Sequence, residues 1–271
     1  KILCKNKILA PKLYQENYSK NFIEIEDFGD DTIFKILIKK KINKFIYFKK
    51  IINLLNKTQS IKSRKIKNFK NKYYTIPKYD KSLLIKEASL FCDWYAKKKL
   101  TKSGKDKFSR EFKKIIKQLA NNLKLKNNIF VHRDFHVSNL MRYKKQIGII
   151  DTQDALIGNG AYDLASLIDD VRFKSNKKFK DDICNYYLKL NKKNFNKNIF
   201  LNDFEILSVL RNMKIIGIFT RLAIRDKKKN YLKLIPYAWK LIEFRIQNNR
   251  IFKDLKKILD LNFSKKVRYL K

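Results

Sequence analysis

Glycine is scarce in this chain of 271 residues: there are six, and the first is Gly29. No glycine-rich turn able to wrap a phosphate therefore precedes that position. Cysteine is scarce as well. Cys4, Cys92 and Cys184 are odd in number, far apart and without C-x-x-C spacing. That excludes a disulfide framework and a cysteine zinc site, and it fits a reducing cytoplasm. No apolar run approaches the roughly 18 residues that a membrane span needs. Acids are few, 25 against 65 lysines and arginines, for a formal net charge of +40. A pocket for a polycation is hard to build from so few acids. The lysines are scattered through nearly every segment and accompany abundant Asn, Ile, Phe and Tyr, all encoded by AT-rich codons. The charge thus predicts weak, salt-sensitive adhesion to polyanions and no specific nucleic-acid recognition. Runs such as Lys39-Lys40-Lys41 and Lys227-Lys228-Lys229 read as solvated helix faces or ends. With 44% hydrophobic residues, the chain can bury a sizeable core.

Both histidines fall in one octet, His132-Arg133-Asp134-Phe135-His136-Val137-Ser138-Asn139, followed by Ile149-Ile150-Asp151. Asn128-Ile129-Phe130-Val131 precedes the octet and Gln146-Ile147-Gly148-Ile149-Ile150 leads to Asp151, so both motifs read as loops leaving short buried strands. Each polar residue alone has an ordinary explanation: a core histidine, an amide at a turn, an acid at a strand end. Together they suit phosphoryl transfer, which needs a positioned nucleophile and neutralised phosphate charge. Asp134 would orient or accept the proton of an acceptor hydroxyl. Asn139 and Asp151 would offer oxygen ligands to Mg2+, a hard ion that takes few protein ligands.

The octet resembles the H-x-D-x-H-x-x-N loop of the aminoglycoside phosphotransferase and choline kinase superfamily. Ile150-Asp151 resembles that superfamily's metal-binding aspartate. Thr152-Gln153-Asp154-Ala155-Leu156-Ile157-Gly158, Ala161-Tyr162-Asp163-Leu164-Ala165-Ser166-Leu167 and the stretch from Arg211-Asn212-Met213-Lys214 to Ala223 are more specific. They resemble the bacterial anomeric kinases of cell-wall recycling, which phosphorylate the C1 hydroxyl of N-acetylmuramate and N-acetylglucosamine with ATP. The likeness runs from about Ala10 to about Leu241. It implies an α+β, protein-kinase-like fold of the aminoglycoside phosphotransferase type, with ATP and Mg2+ as cofactors. It further implies a small amino-sugar substrate, a cytoplasmic monomer and no membrane contact. Glu26, Asp27 and Phe28 match the hinge that holds adenine, and Asp163 matches a structural brace under the catalytic loop. His132 and His136 are expected to shape that loop. Gln153 and Asp154 are expected near the acceptor. Asp93 and Trp94 are candidates for the acceptor pocket; Trp94 reads first as core packing, and for Asp93 the choice is even. On a helix over 203–226, Arg211, Lys214, Arg221 and Arg225 share one sector, read as a solvated face or, for Arg211 and Lys214, as acceptor lining.

The same resemblance requires a glycine-rich turn and a strand lysine at the front, and neither is present. The expectation is a chain truncated at its N-terminus, with residues 1–30 a remnant of the small lobe and 31–271 the helical large lobe, weak or inactive alone. The other reading is a pseudokinase lacking its phosphate anchor. Rival functions are another small-molecule kinase of this fold, acting on an aminoglycoside or a choline-like alcohol, and a catalytically silent basic nucleic-acid-binding protein.

Residues 1–10 read as the end of a helix, and Lys12-Leu13-Tyr14 and Phe22–Glu26 as short strands. Asp30-Asp31-Thr32 is expected to cap a helix reaching about Asn56, followed by an exposed basic connection over 57–80. Further helices are expected over 81–100, 106–123, 161–172, 178–190, 203–226, 229–247 and 251–261, with Pro236 kinking or restarting the penultimate one.

Overall fold

The computed structural model describes residues 1–17, 19–39, 42–67, 71–247 and 249–269. In chain order the elements begin with α1 (Ile2–Lys5), β1 (Leu13–Asn17), β2 (Phe22–Ile25), α2 (Ile33–Lys39), α3 (Lys44–Gln59), β3 (Lys65–Lys67) and β4 (Tyr73–Thr75). Next come α4 (Lys81–Leu90), a π-helical turn (Phe91–Ala96), α5 (Lys97–Lys99), α6 (Lys102–Asn121) and β5 (Asn127–Val131). Then follow β6 (Leu140–Tyr143), β7 (Gln146–Ile149), β8 (Leu156–Asn159), α7 (Ala161–Ile168) and α8 (Lys177–Leu190). The chain closes with α9 (Lys197–Ile224), α10 (Ile235–Ile246), α11 (Lys253–Asn262) and α12 (Lys265–Tyr269). Among the described residues, no helix is long and apolar enough to cross a membrane.

The chain divides into two compact units: 1–79 with 126–168 and 175–195, and 80–125 with 169–174 and 196–271. In the first, every sheet is a two-stranded antiparallel pair: β1 with β2, β3 with β4, β5 with β8, and β6 with β7. The apolar face of α3, made by Phe48, Ile51, Ile52 and Leu55, is buried. Phe48 meets Phe179 of α8 edge-on at 4.9 Å. Gln59 at the end of α3 donates to the Gly160 carbonyl at 2.8 Å and accepts from the Tyr187 hydroxyl at 2.7 Å. The helix end is thereby tied to the start of α7.

Two sequence expectations need correction here. The helix capped near Thr32 does not reach Asn56. Thr32 Oγ1 does accept from the Lys35 N–H at 3.1 Å and the helix is described to Lys39, but Asn43 has extended backbone and caps a new helix by accepting from the Ile46 N–H at 3.2 Å. A short amide in extended backbone competes well for free helix-end donors, so the chain restarts there. Lys40 and Lys41, part of one expected charge run, lie outside the described residues. The second correction concerns 57–80, expected as an exposed connection. Helix α3 extends to Gln59, β3 and β4 pair as a ribbon, and Ile76 and Tyr79 are buried. The alternation Lys65-Ile66-Lys67 and the strand-favouring residues Tyr73-Tyr74-Thr75 carried that signal.

In the second unit, Asp80 caps α4 by accepting from the Leu83 N–H at 2.8 Å. Helix α9 approaches α4 closely at Gly217, where a β-carbon would lie 2.3 Å from the Leu90 carbonyl carbon. The π-helical turn follows at once and turns Phe91 into an aromatic core with Phe108, Phe112, Trp239 and Phe263, at centroid separations of 5.2 to 6.0 Å. Pro236 sits in the first turn of α10, where its missing N–H is harmless, so it restarts the helix and does not kink it. Lys227, Lys228 and Lys229 lie exposed after α9, as expected of a helix end.

Candidate active site

Strand β5 ends at Val131 and the octet follows as a loop. Its backbone is held from below: the Asp163 carboxylate accepts from the His132 N–H at 2.7 Å and from the Arg133 N–H at 3.0 Å. Asp163 is fully buried in the first turn of α7, where the helix dipole also favours a negative charge. The buried His132 ring places Nε2 2.9 Å from the Ile150 carbonyl, so that nitrogen carries the proton and donates. Burial holds the imidazole below the usual histidine pKa, against smaller upward pulls from that hydrogen bond and from Asp134 and Asp151. His136 is buried, and its N–H donates to the Asp134 carbonyl at 3.0 Å.

Asn139 joins the two motifs. Its Nδ2 donates to the Asp134 carbonyl at 3.0 Å and to Asp151 Oδ2 at 3.4 Å, while its own carbonyl accepts from the Ile150 N–H at 3.1 Å. Asp151 adopts left-handed backbone, φ 62°, which turns its exposed carboxylate out of the line of β7. The Gln153 amide donates to the other oxygen, Oδ1. With Nδ2 engaged, the Asn139 oxygen and the Asp151 carboxylate are a two-member hard-oxygen set. That suits Mg2+, which fills its remaining positions with water and phosphate oxygens. Among the described residues, no group of three or more His, Cys, Asp or Glu is placed to hold a metal.

The Glu26–Phe28 segment packs on the β6–β7 hairpin, whose far end leads to Asp151. Glu26 Oε1 accepts from the Tyr143 hydroxyl at 3.0 Å, and Phe28 stacks on Tyr143 at 4.3 Å. Gly148 makes room for Phe28, since a β-carbon there would lie 2.5 Å from its ring. Asp27 accepts from the Gly29 N–H at 2.7 Å. The Asp154 side chain is exposed, while its carbonyl accepts from Arg133 Nη1 at 3.2 Å.

The structure thus brings Asp134, Asn139, Asp151 and Gln153 together in the first unit. Asp93, Arg211 and Lys214 belong to the second. Asp93 is exposed in the π-helical turn. Lys214 pairs with Glu87 at 3.0 Å, and both are largely buried. Arg211 is 3% exposed, which overturns the solvated-face reading at that position, and its Nη1 has no hydrogen-bond partner among the described residues. Sequence reasoning missed Arg133 and Tyr79. Arg133 has φ 75° and stands 5.4 Å over the Tyr79 ring, a contact no local motif announces.

Residues 68–196 match the sequence model of the phosphotransferase enzyme family, and the matched span contains the whole loop system. The match covers just under half of the chain and marks residues 68–196 as similar to that family. It is 27% identical over 235 residues to an N-acetylmuramate/N-acetylglucosamine kinase of Neisseria meningitidis, covering 84% of this chain and 67% of that protein. The kinase of the same name from Pseudomonas aeruginosa is 26% identical over 257 residues, covering 92% of this chain and 72% of that one. Solved structures share the fold at low identity. A choline/ethanolamine kinase family protein from Mesorhizobium loti superposes with a TM-score of 0.60 at 11% identity, covering 95% of this chain and 80% of that one. An ethanolamine kinase from Plasmodium vivax gives 0.58 at 16%, covering 90% and 70%. The chain therefore has the expected kinase-like α+β fold, mostly helical with small sheets.

Proposed function

We propose that this phosphotransferase uses ATP and Mg2+ to phosphorylate the anomeric hydroxyl of an amino sugar, N-acetylmuramate or N-acetylglucosamine, in cell-wall recycling. The observation that carries the reading is the Asn139 side chain spanning the Asp134 carbonyl and the Asp151 carboxylate. It couples the group that would handle the acceptor proton to the group that would hold metal. Asp134 orients the hydroxyl and accepts its proton; Asn139 and Asp151 bind Mg2+, with Gln153 fixing the Asp151 carboxylate. When bound, Mg2+-ATP supplies the transferable phosphoryl group and neutralises its charge. The backbone of Glu26, Asp27 and Phe28 holds the adenine, on a segment already anchored by Tyr143. Asp93, Asp154, Arg211 and Lys214 are assigned to acceptor recognition. Of the two cations, Arg211 is the better receptor for an acidic substituent, because Glu87 already balances Lys214. The protein acts as a cytoplasmic monomer. The names of the bacterial relatives support the choice of sugar.

The test is to incubate the protein with ATP, Mg2+ and N-acetylmuramate, N-acetylglucosamine or kanamycin and to follow the products by 31P NMR. An anomeric sugar phosphate that falls by about 100-fold or more in Asp134→Ala, with the thermal transition unchanged, supports the reading. Product with kanamycin alone moves the chain to aminoglycoside modification, and no product with any acceptor favours a silent binding protein.

A further inference from the structure

The β3–β4 ribbon takes no part in the site described above, and its composition is distinctive. Between Ser60 and Tyr79 there is no acidic residue. The register pairs Lys65 with Thr75, Ile66 with Tyr74 and Lys67 with Tyr73. Alternation along the strands therefore places Lys65, Lys67, Tyr73 and Thr75 on one face. All four are exposed, and Tyr73 and Tyr74 are 69% and 49% accessible. Lys67 Nζ lies 5.8 Å from the Tyr73 ring centre. Among the described residues, neither Lys65 nor Lys67 has an acidic partner. A two-stranded ribbon this short is marginally stable without something packed on it.

Its root is firm. Residues 77–79 run parallel to β8, with the Ile157 N–H donating to the Pro77 carbonyl and the Tyr79 N–H to the Ile157 carbonyl, both at 2.8 Å. β4 precedes that segment, so it leaves the sheet at the Leu156 end of β8. The octet leaves β5 at the same end, because Val131 pairs with Leu156. Tyr79 lies under Arg133 of the octet.

We propose that this ribbon is a sequence-tolerant binding surface for single-stranded nucleic acid. Lys65 and Lys67 would meet backbone phosphates, and Tyr73 on the same face would stack an unpaired base, the combination of cationic track and aromatic platform that single strands select. Paired bases could not use the Tyr73 ring. A lipid surface would call for large apolar side chains to insert, and Ile66, the apolar residue of the paired strands, is half-buried. The inference is independent of the acceptor sugar.

The experiment measures fluorescence anisotropy of a short fluorescein-labelled oligo(U) across a salt series, with heparin as a polyanion lacking bases and phosphatidylserine vesicles as a lipid surface. The variants are Lys65→Glu/Lys67→Glu, Tyr73→Ala and, as a comparator of equal charge change, Lys228→Glu/Lys229→Glu. Circular dichroism confirms that each variant folds. The ribbon charge variant is expected to lose about tenfold or more in oligo(U) affinity and to lower the salt slope by about 0.7 per lysine. The tyrosine variant should lose about tenfold for oligo(U) and nothing for heparin. Equal losses in the comparator would show that net charge alone drives binding and would overturn the proposal. So would a tyrosine variant that binds oligo(U) like the parent, vesicle binding in place of oligo(U), or no oligo(U) binding at low salt.

Discussion

At the scale of single residues, Asp163 does more for the site than its distance from the chemistry suggests. It is a buried carboxylate whose two oxygens satisfy two consecutive backbone N–H groups, at 2.7 and 3.0 Å. Asp163→Asn keeps one acceptor but turns an amide N–H toward the other donor. The expected cost is about 2–3 kcal/mol, since hydrogen bonds to a charged group are strong and an orphaned buried donor is expensive. Urea denaturation should report that loss, and phosphotransfer should fall although Asp134 is intact. A variant with parental stability would remove Asp163 from its bracing role. The octet itself was legible, because chemistry-bearing residue types at fixed spacing need no tertiary information. Arg133 was not: its φ is 75°, and its seat over Tyr79 depends on a segment 54 positions earlier (133 − 79).

At the scale of elements, the β6–β7 hairpin carries Asn139 before its first strand and Asp151 after its second. Its two-residue turn is Lys144-Lys145, with φ 47° and 63°. Positive φ at both turn positions is the geometry that Asn-Gly adopts readily and that lysine adopts at a cost. Lys144→Asn/Lys145→Gly should therefore raise unfolding free energy by about 1 kcal/mol while leaving transfer unchanged. A lower denaturation midpoint would show that the lysines contribute through another contact. Lys-Lys is no turn signal, and the hairpin was inferred from neither residue. The start at Lys81 was easier to read, and Asp80 caps it by accepting from the Leu83 N–H at 2.8 Å; α6, expected from 106, instead begins at Lys102, where Thr101 accepts from the Gly104 N–H at 3.4 Å. The break at Asn43 escaped notice because apolar spacing continues on either side of it.

At the scale of the whole molecule, a charge of +40 does not prevent a dry interior. The second unit's core is built from Phe91, Phe112, Trp239 and Phe263, and Cys92 lies buried beside them in sequence. Burial pushes the Cys92 thiol up to about 12, so at pH 8 it stays protonated and unreactive. Cys184 is also buried, whereas Cys4 is exposed. An excess of thiol reagent should label one cysteine quickly in the native protein and all three in urea, and mass spectrometry would identify Cys4. Fast native labelling of Cys92 would contradict the packing of this core.

The octet with Asp151, the family likeness and most helix positions were set locally, by residue type, spacing and period, and were readable before folding. Two things were not. The carboxylate of Asp163, expected under the octet only through the family likeness, finds its partners across 31 and 30 residues of sequence separation, which local pattern alone does not show. Likewise Arg211 and Lys214 share a helical sector, yet Glu87 balances Lys214 and leaves Arg211 buried with a donor to spare. Helical period can place two cations on one face; what lies opposite that face, and so whether each is solvated, paired or poised for an anion, is decided by the packing of distant segments.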